Sequence, residues 1–440
     1  MLKEEKMENK KAKTSGGAIV ALCSLVYFVS YFARKDFAAV MAGMISDSII
    51  DKSMGGFIGM GLFIAYGVGQ LVSGYLGDRI KPTSLLIFGL ATTLICNLLM
   101  PIVADAAIWL MIPVWTVNGF AQAMLWPPIV RILADNLDHE KFVTANLLVT
   151  TAAHVSTILL YLYVPLCLQY MSWKTVFFTA TIITFVVMAI FIASMFFIVF
   201  DKRAPKEKRA EEEKKEETEP VSNISGEKKE GFFAIFVRAG VVPIFFAIIM
   251  MGFLRDGIES WLPTLYSEAF GRAATESILV SAVLPVFSII SITAIRAAHK
   301  SKIFANETRG AAILFGMSVV LAIPLAVLIN FEQSALRLIC LIIAALICGC
   351  MHAVNFLYIS CLPGRFAAYG KAASASGFCN ACTYIGAAAS MYGIAAVAEW
   401  MGWSVTVITW IAIAVLGVFF SLLAFRKFTA FMKQGEEKES

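Results

Sequence analysis

Long apolar stretches alternate with short segments rich in charged residues, Pro or Gly along almost the whole chain. A helix needs roughly 20 mostly apolar residues to cross the hydrocarbon core of a bilayer, and these stretches reach that length. The pattern therefore predicts twelve membrane-spanning helices. Their approximate positions are 17–44, 57–77, 84–104, 108–132, 142–168, 174–200, 240–267, 275–298, 310–330, 335–361, 372–398 and 402–425.

One polar segment is much longer than the other connections and divides the chain into halves. It reads DKRAPKEKRAEEEKKEETEPVSNISGEKKEG over residues 201–231 and has hardly any apolar side chains. Such a composition cannot bury enough apolar surface to order itself, so we expect a flexible linker. The predicted domains are a six-helix bundle at 1–200, the linker, and a second six-helix bundle at 232–440.

The composition supports an all-α membrane protein. Of the 440 residues, 59% are hydrophobic and 15% are charged, whereas soluble domains carry about 25% charged residues. Lys and Arg gather in the loops of one side, and the other side has only Lys52, Lys174, Arg272 and Arg337. The rich side is predicted to be cytoplasmic, so we expect a multi-pass protein of the cell (inner) membrane with both termini and the linker on the cytoplasmic side. This distribution explains the net charge of +5, so we expect no nucleic-acid partner.

The nine cysteines give no sign of a metal or redox site. Nearly all lie in apolar segments at irregular spacing, which is typical of small packing residues. Cys379 and Cys382 form a CxxC without a second pair nearby to complete a zinc site. With no phosphate-binding loop and no nucleophile with a base, the sequence predicts no metal, no cofactor and no enzyme.

Charged residues interrupt the first and seventh apolar stretches. Arg34 and Arg255 lie about 22 to 26 Å along their predicted helices, near the membrane midplane. An arginine at this depth keeps its charge only against water, an acid or an anionic ligand. We therefore predict that the two arginines face one central cavity and bind an anion. The alternative is that they only neutralise the nearby acids Asp36, Asp256 and Glu259.

Other residues could complete such a site. Tyr27 and Tyr31 share one helix face with Arg34, and hydroxyls beside a guanidinium suit a phosphate or carboxylate. His154, in the fifth stretch, could hydrogen-bond an anion or could equally be a packed core residue. His352, in the tenth stretch, is interpreted as a packing residue.

Six plus six helices with a cytoplasmic linker is the architecture of the major facilitator superfamily. The turn GYLGDRIKP (74–82) is similar to that superfamily's cytoplasmic Gly-x-x-x-Asp-Arg loop. This similarity implies that Asp78 and Arg79 help to hold a cytoplasmic gate.

Five segments, spread over both halves, carry more specific motifs. They are YFVSYFARKDF (27–37), NGFAQAMLWPPIVR (118–131), TTAAHVS (150–156), LRDGIESWLPTLY (254–266) and AASASGFCNACTYIGAAAS (372–390). The set resembles the organophosphate:phosphate antiporters, the branch of bacterial glycerol-3-phosphate and hexose-6-phosphate transporters. Members of this family exchange an organic phosphate for inorganic phosphate by rocking two halves about a central site, without ATP.

The resemblance also implies roles for individual residues. Arg34 and Arg255 would bind the phosphate, Tyr27 and Tyr31 would shape the site with Lys35 beside them, and His154 would contact the substrate. Three residues depart from the family pattern, because Gln70 replaces a Lys, Asp36 replaces a neutral residue and Asp256 directly follows an arginine. These changes leave open a monoanionic, zwitterionic or partly cationic substrate.

Three functions remain in competition at this level. The leading hypothesis is a transporter that exchanges a small anionic metabolite, above all a phosphorylated one, for phosphate. The second is symport of a carboxylate or zwitterionic metabolite with protons, in which Asp36, Asp256, Glu259 or His154 takes the proton. The third is a non-transporting sensor of a phosphorylated metabolite. We expect a monomer whose surroundings are the lipid bilayer.

Overall fold

Almost every residue that can be described lies in a helix. The computed structural model describes residues 2–77, 80–195, 232–299, 301, 303–331, 333–369 and 372–439, and within these ranges there is no β-strand. The predicted all-α fold is therefore confirmed. The linker and the Asp78–Arg79 turn lie outside the described residues.

The helices of the first half follow the predicted order. They are α1 (Leu2–Ser46), α2 (Lys52–Gly77), α3 (Pro82–Ala106), α4 (Met111–Ala123), α5 (Trp126–Asn136), α6 (His139–Tyr170) and α7 (Trp173–Ser194). Helices α4 and α5 together form the fourth span. The helix is interrupted between them because Pro127 and Pro128, at the start of α5, have no backbone N–H to donate to the preceding turn.

The second half begins with a short helix and repeats this plan. It contains α8 (Phe232–Arg238), α9 (Val242–Phe270), α10 (Ala274–Ser281), α11 (Val283–Ala298), α12 (Glu307–Leu328), α13 (Ser334–Asn355) and α14 (Ala372–Glu439). A π-helical turn, Phe356–Cys361, and a 3₁₀ helix, Leu362–Tyr369, extend α13.

The described part of the chain contains twelve long helical segments at the positions of the twelve predicted spans. Ten helical segments are long and apolar enough to span a membrane. The longest of them lies within α14 and contains two spans, because Gly402 adopts φ 80° and ψ 174° and breaks the helix. Helix α9 has 29 residues but carries the three charged residues predicted for the seventh span, so its composition alone does not mark it as a crossing.

Helices pack mainly within their own half. In the first half, α1 packs on α6 and α7, and α2 packs on α4. In the second half, α9 packs on α14, and α12 packs on α13 and α14. Between the halves, α2 packs on α14, α6 on α10 and α11, and α1 on α9 and α10.

The contacts between the halves seal one end of the molecule. A Cβ on Gly56 would lie 2.9 Å from the carbonyl oxygen of Met391, so a glycine is needed for α2 to approach α14 this closely. The rings of Phe57 and Tyr392 are 4.5 Å apart at the same level. Farther out, Lys52 Nζ lies 3.0 Å from Glu268 Oε2. This closed end lies on the side with few Lys and Arg.

Candidate substrate site

A cavity of about 440 Å³ lies between the two halves. It extends from the closed end toward the opposite end, where Phe142 and Asn146 at the start of α6 and Arg296 near the end of α11 line it. The cavity therefore extends from the closed end toward the end of the helices that carries the Lys- and Arg-rich loops.

The structure brings most of the predicted site residues into this one cavity. Its lining includes Tyr27, Tyr31, Arg34, Lys35, Gln70, His154, Arg255, Asp256 and Glu259. Asp36 is the exception among the described residues: it is fully buried and does not line the cavity. Its Oδ1 accepts a hydrogen bond from the backbone N–H of Phe37, 2.8 Å away. Asp36 therefore adds no charge to the cavity wall, contrary to the expectation from the sequence.

Arg34 projects into the cavity between two aromatic rings. Its guanidinium carbon lies 4.1 Å from the centre of the Tyr31 ring and 5.1 Å from that of Tyr66. Cation–π contacts of this kind hold the charge in place without neutralising it. No carboxylate within the described ranges pairs with Arg34, so its N–H groups remain available to a ligand.

Two buried asparagines fix the backbone beside Arg34. The carbonyl oxygen of Ala33 accepts hydrogen bonds from Asn97 Nδ2 at 3.0 Å and from Asn118 Nδ2 at 3.2 Å. Asn97 lies on α3 and Asn118 on α4, and neither is exposed. This buried contact ties α1 to two neighbouring helices at the level of Arg34 and sets the depth of the guanidinium.

Arg255 is held differently, by polar partners in its own half. One terminal nitrogen of its guanidinium donates to Asn355 Oδ1 at 2.6 Å, and the other donates to Asp256 Oδ2 at 2.6 Å. Asp256 therefore neutralises much of the Arg255 charge. The pairing with a nearby acid that was considered from the sequence is thus present at Arg255 and is absent, among the described residues, at Arg34.

Glu259 joins the two halves in the cavity wall. Its Oε2 lies 2.7 Å from Lys35 Nζ on α1, and its Oε1 lies 2.7 Å from His352 Nε2 on α13. The hydroxyl of Tyr161 on α6 donates to the backbone carbonyl of Glu259 at 3.1 Å. Because both carboxylate oxygens have partners, Glu259 is the centre of a polar network and is not a free acid.

The two histidines of the cavity face each other across the halves. The ring centres of His154 and His352 are 5.9 Å apart. His154 Nδ1 donates to the carbonyl oxygen of Thr150 at 2.9 Å, which leaves Nε2 as its other polar atom. His352 is largely buried and also lines the cavity, so it belongs to the cavity wall in addition to packing in the core.

Gln70 lines the cavity and also forms a hydrogen bond to the backbone of the fourth span. Its Nε2 donates to the carbonyl oxygen of Ala123 at 3.2 Å. In a continuous helix this carbonyl would accept from the backbone N–H of residue 127, but Pro127 has none. Gln70 thus satisfies the acceptor left by the break between α4 and α5.

One group of side chains has the composition of a metal site. Ligand atoms of Glu259, Cys348 and His352 lie within 4.8 Å of one another. The ammonium group of Lys35 already occupies one oxygen of Glu259 and would repel a cation. We therefore assign no metal role to this group.

Several cavity residues were missed by reasoning from the sequence. Tyr66 and Tyr384, whose rings are 4.4 Å apart, line the cavity beside Arg34. Asn355 lies three residues after His352, so both occupy one face of α13. Two polar residues three positions apart in an apolar span could have indicated that Asn355 lines a cavity. A single tyrosine in an apolar span, such as Tyr66 or Tyr384, gives no such indication.

Comparison with known proteins places the chain in a family. The model of the Major Facilitator Superfamily matches residues 23–391. The chain belongs to this superfamily. The solved nucleoside transporter NupG has a TM-score of 0.71 and 13% identity, covering 93% of this chain and 100% of the other. A bacterial homologue of the lysosomal transporter Spinster, solved in an inward-facing and unoccupied conformation, has a TM-score of 0.67 and 13% identity. At such identities the likeness shows the fold alone.

By name, the sequence relatives are transporters of phosphorylated compounds and a membrane sensor protein. A probable hexose phosphate transport protein of Chlamydia trachomatis is 30% identical over 159 residues, which is 36% of this chain and 34% of that protein. The Bacillus subtilis glycerol-3-phosphate transporter is 26% identical over 406 residues, 89% of this chain and 88% of the relative. The Escherichia coli membrane sensor protein UhpC is 30% identical over 109 residues, 25% of this chain and 24% of that protein. The predicted resemblance to the organophosphate:phosphate antiporters is thus confirmed, and the superfamily member is a membrane transporter by class, not an enzyme.

Proposed function

We propose that this protein carries a small phosphorylated metabolite across the cell membrane in exchange for inorganic phosphate. One observation carries the proposal: Arg34 lies in a cavity between two helical bundles, and no carboxylate among the described residues neutralises it. A buried cation of this kind is costly unless an anion joins it. The anion is the transported substrate.

The chemistry around Arg34 favours a phosphate group. A guanidinium presents paired N–H donors that match two oxygens of one phosphate or carboxylate. The cavity adds the hydroxyls of Tyr27 and Tyr31 and the ring of His154 as further hydrogen-bonding groups. The names of the relatives, which refer to hexose phosphate and glycerol 3-phosphate, favour phosphate over carboxylate.

The proposed mechanism is alternating access. The domains at 1–200 and 232–440 would rock about the cavity, opening the end that Gly56 and Met391 close here and closing the opposite end. With the predicted orientation, both termini and the cavity opening face the cytoplasm, and Asp78 and Arg79 contribute to the gate on that side. We propose that one chain is sufficient, because each half supplies one arginine.

Counterflow in proteoliposomes tests the proposal. Vesicles that contain the purified protein and internal phosphate should take up labelled glycerol 3-phosphate, and vesicles without internal phosphate should not. Uptake that ignores internal phosphate would contradict exchange. Binding of the ester without any counterflow would instead support a sensor.

Proton-coupled symport remains the second candidate because of the Glu259 network. Glu259 contacts Lys35 of the first half and His352 of the second, so a proton entering this group could alter a contact between the halves. Uptake driven by an imposed pH gradient, abolished by an uncoupler and insensitive to internal phosphate, would favour this candidate. His154, Asp256 and Glu259 are its proton-binding residues, whereas Asp36 lies away from the cavity.

A further inference from the structure

The carboxylate oxygens in the cavity differ in whether they have a hydrogen-bond partner. Both oxygens of Glu259 lie 2.7 Å from a nitrogen, one of Lys35 and the other of His352. Asp256 Oδ2 lies 2.6 Å from Arg255. Asp256 Oδ1 has no hydrogen-bond partner within the described ranges, although Asp256 lines the cavity. One negatively charged acceptor is thus open to a ligand.

The charged groups in the middle of the cavity leave a small positive excess. Three cations, Arg34, Lys35 and Arg255, face two acids, Asp256 and Glu259. With neutral histidines the formal charge is one positive unit, and Arg296 lies apart at the open end. A phosphate ester with two negative charges would leave the centre of the cavity with an unbalanced negative charge between the two halves, which is unfavourable. A ligand with one net negative charge would balance it.

The two open groups also lie on opposite halves. Arg34 on α1 offers donors without an acid partner, and Asp256 on α9 offers an acceptor without a donor. An anion alone would satisfy the first group and would be repelled by the second. A molecule with a phosphate at one end and an ammonium group at the other would satisfy both and would link the halves.

We infer that the preferred substrate is a small zwitterionic phosphate, an aminoalkyl phosphate or phosphonate, with its phosphate at Arg34 and its ammonium group at Asp256 Oδ1. The inference rests on the proposed function, because it names the substrate class of the same site. It differs from that proposal in requiring an amine on the transported molecule.

Competition between matched esters tests the inference. The probes are 2-aminoethyl phosphate and propyl phosphate, which have the same shape but differ in an ammonium or a methyl group at the end. Each competes with labelled phosphate for phosphate exchange in proteoliposomes. For the wild-type protein, 2-aminoethyl phosphate should inhibit the exchange at a concentration about tenfold lower than propyl phosphate, which corresponds to one charge-assisted hydrogen bond. Aminoalkyl phosphates with three and four carbons would then define the length that fits.

The variant Asp256→Asn sharpens the test. It should lose the preference for the amine and should bind propyl phosphate at least as well as wild type, because Arg255 is no longer neutralised by a carboxylate. The control Asp105→Asn removes an exposed acid that pairs with Lys174 and should keep the preference. A variant that merely folds poorly would weaken both esters equally, and the wild-type comparison needs no variant.

The possible outcomes separate the inference from the proposed function. Phosphate exchange with equal competition by both esters in wild type would overturn the inference and leave the proposed function standing. An undiminished preference for the amine in Asp256→Asn would overturn the assignment to Asp256. Absence of phosphate exchange and of competition by either ester would overturn the proposed function, and the inference with it.

Discussion

Arg34 and Arg255 come from corresponding helices of the two halves, yet their surroundings differ. Arg34 is flanked by the rings of Tyr31 and Tyr66 and has no acid partner in the described structure. Arg255 is bound by Asp256 and Asn355 at 2.6 Å each. The first half thus contributes an available positive charge, and the second contributes one that is already neutralised.

The residue that follows each arginine explains much of this difference. Lys35 follows Arg34 and reaches Glu259 of the opposite half, whereas Asp256 follows Arg255 and pairs with it. Related helices can therefore contribute differently to one cavity, since α1 presents an arginine without an acid partner in the described structure and α9 presents an arginine paired with an acid. Substitutions that change the surroundings of only one arginine therefore test whether the two arginines differ in their contribution to transport.

Replacing Arg34 should have the largest effect. Arg34→Lys removes the paired donors and Arg34→Ala removes the charge as well, so we expect both to lower phosphate exchange by at least roughly 30-fold. The measurement is exchange in proteoliposomes with equal amounts of inserted protein. Arg272→Lys, in an exposed pair with Glu276, is the matched control, and exchange by Arg34→Lys equal to that of the control would contradict the account.

Removing the Arg255–Asp256 pair as a unit should have a smaller effect. The double variant Arg255→Gln with Asp256→Asn keeps the formal charge of the cavity, so we expect phosphate exchange to fall by about tenfold. Arg255→Gln alone leaves Asp256 unpaired and should be more harmful than the double variant. If the double variant were as inactive as Arg34→Ala, the two arginines would not differ in the way described.

Substitution of Glu259 should affect stability as well as transport. Glu259→Gln leaves Lys35 without its acid in the cavity wall, and we expect a loss of roughly 1–3 kcal/mol in the free energy of unfolding. Thermal unfolding in detergent gives the comparison with wild type. Glu276→Gln, which breaks only an exposed pair, should stay within about 0.5 kcal/mol. Equal stability of the two variants would show that the network around Glu259 does not hold the halves together.

The smallest effect is expected for the asparagines behind Arg34. Asn118→Ala removes one of two donors to the Ala33 carbonyl, and Asn97 still donates to it. We therefore expect a loss of about 1 kcal/mol in stability, and a larger loss when Asn97 is also replaced. Asn330→Ala, at an exposed helix end, is the control. If the double variant were as stable as this control, the buried contact would not fix α1.

Much of the fold was predictable because membrane spans are marked by length and apolar composition. Eleven of the twelve predicted spans are marked by these features, whereas α9 carries charged residues and is identified as a span by its place in the order of helices. The interruption of the fourth span was not predicted, although the adjacent Pro127 and Pro128 explain it. The bonding of Gln70 to the freed carbonyl could not be predicted, since it depends on how α2 packs on α4.

The pairing of charges was predictable only where the partners are neighbours in sequence. Asp256 adjoins Arg255, and their pairing was one of the alternatives. Lys35 and Glu259 are 224 residues apart, so only the docking of the halves brings them together. Asp36 is two residues from Arg34, but successive helical residues turn by about 100°, and this places its side chain on another face of α1.

Direct titration of phosphate binding tests the central claim, that Arg34 is the available cation that holds the transported anion. Calorimetry of purified wild-type protein and the Arg34→Gln variant in the same detergent gives the two dissociation constants without any transport step. The account predicts at least roughly 30-fold weaker phosphate binding by Arg34→Gln, with Arg272→Gln unchanged from wild type. Equal phosphate affinity of wild type and a correctly folded Arg34→Gln protein would contradict it.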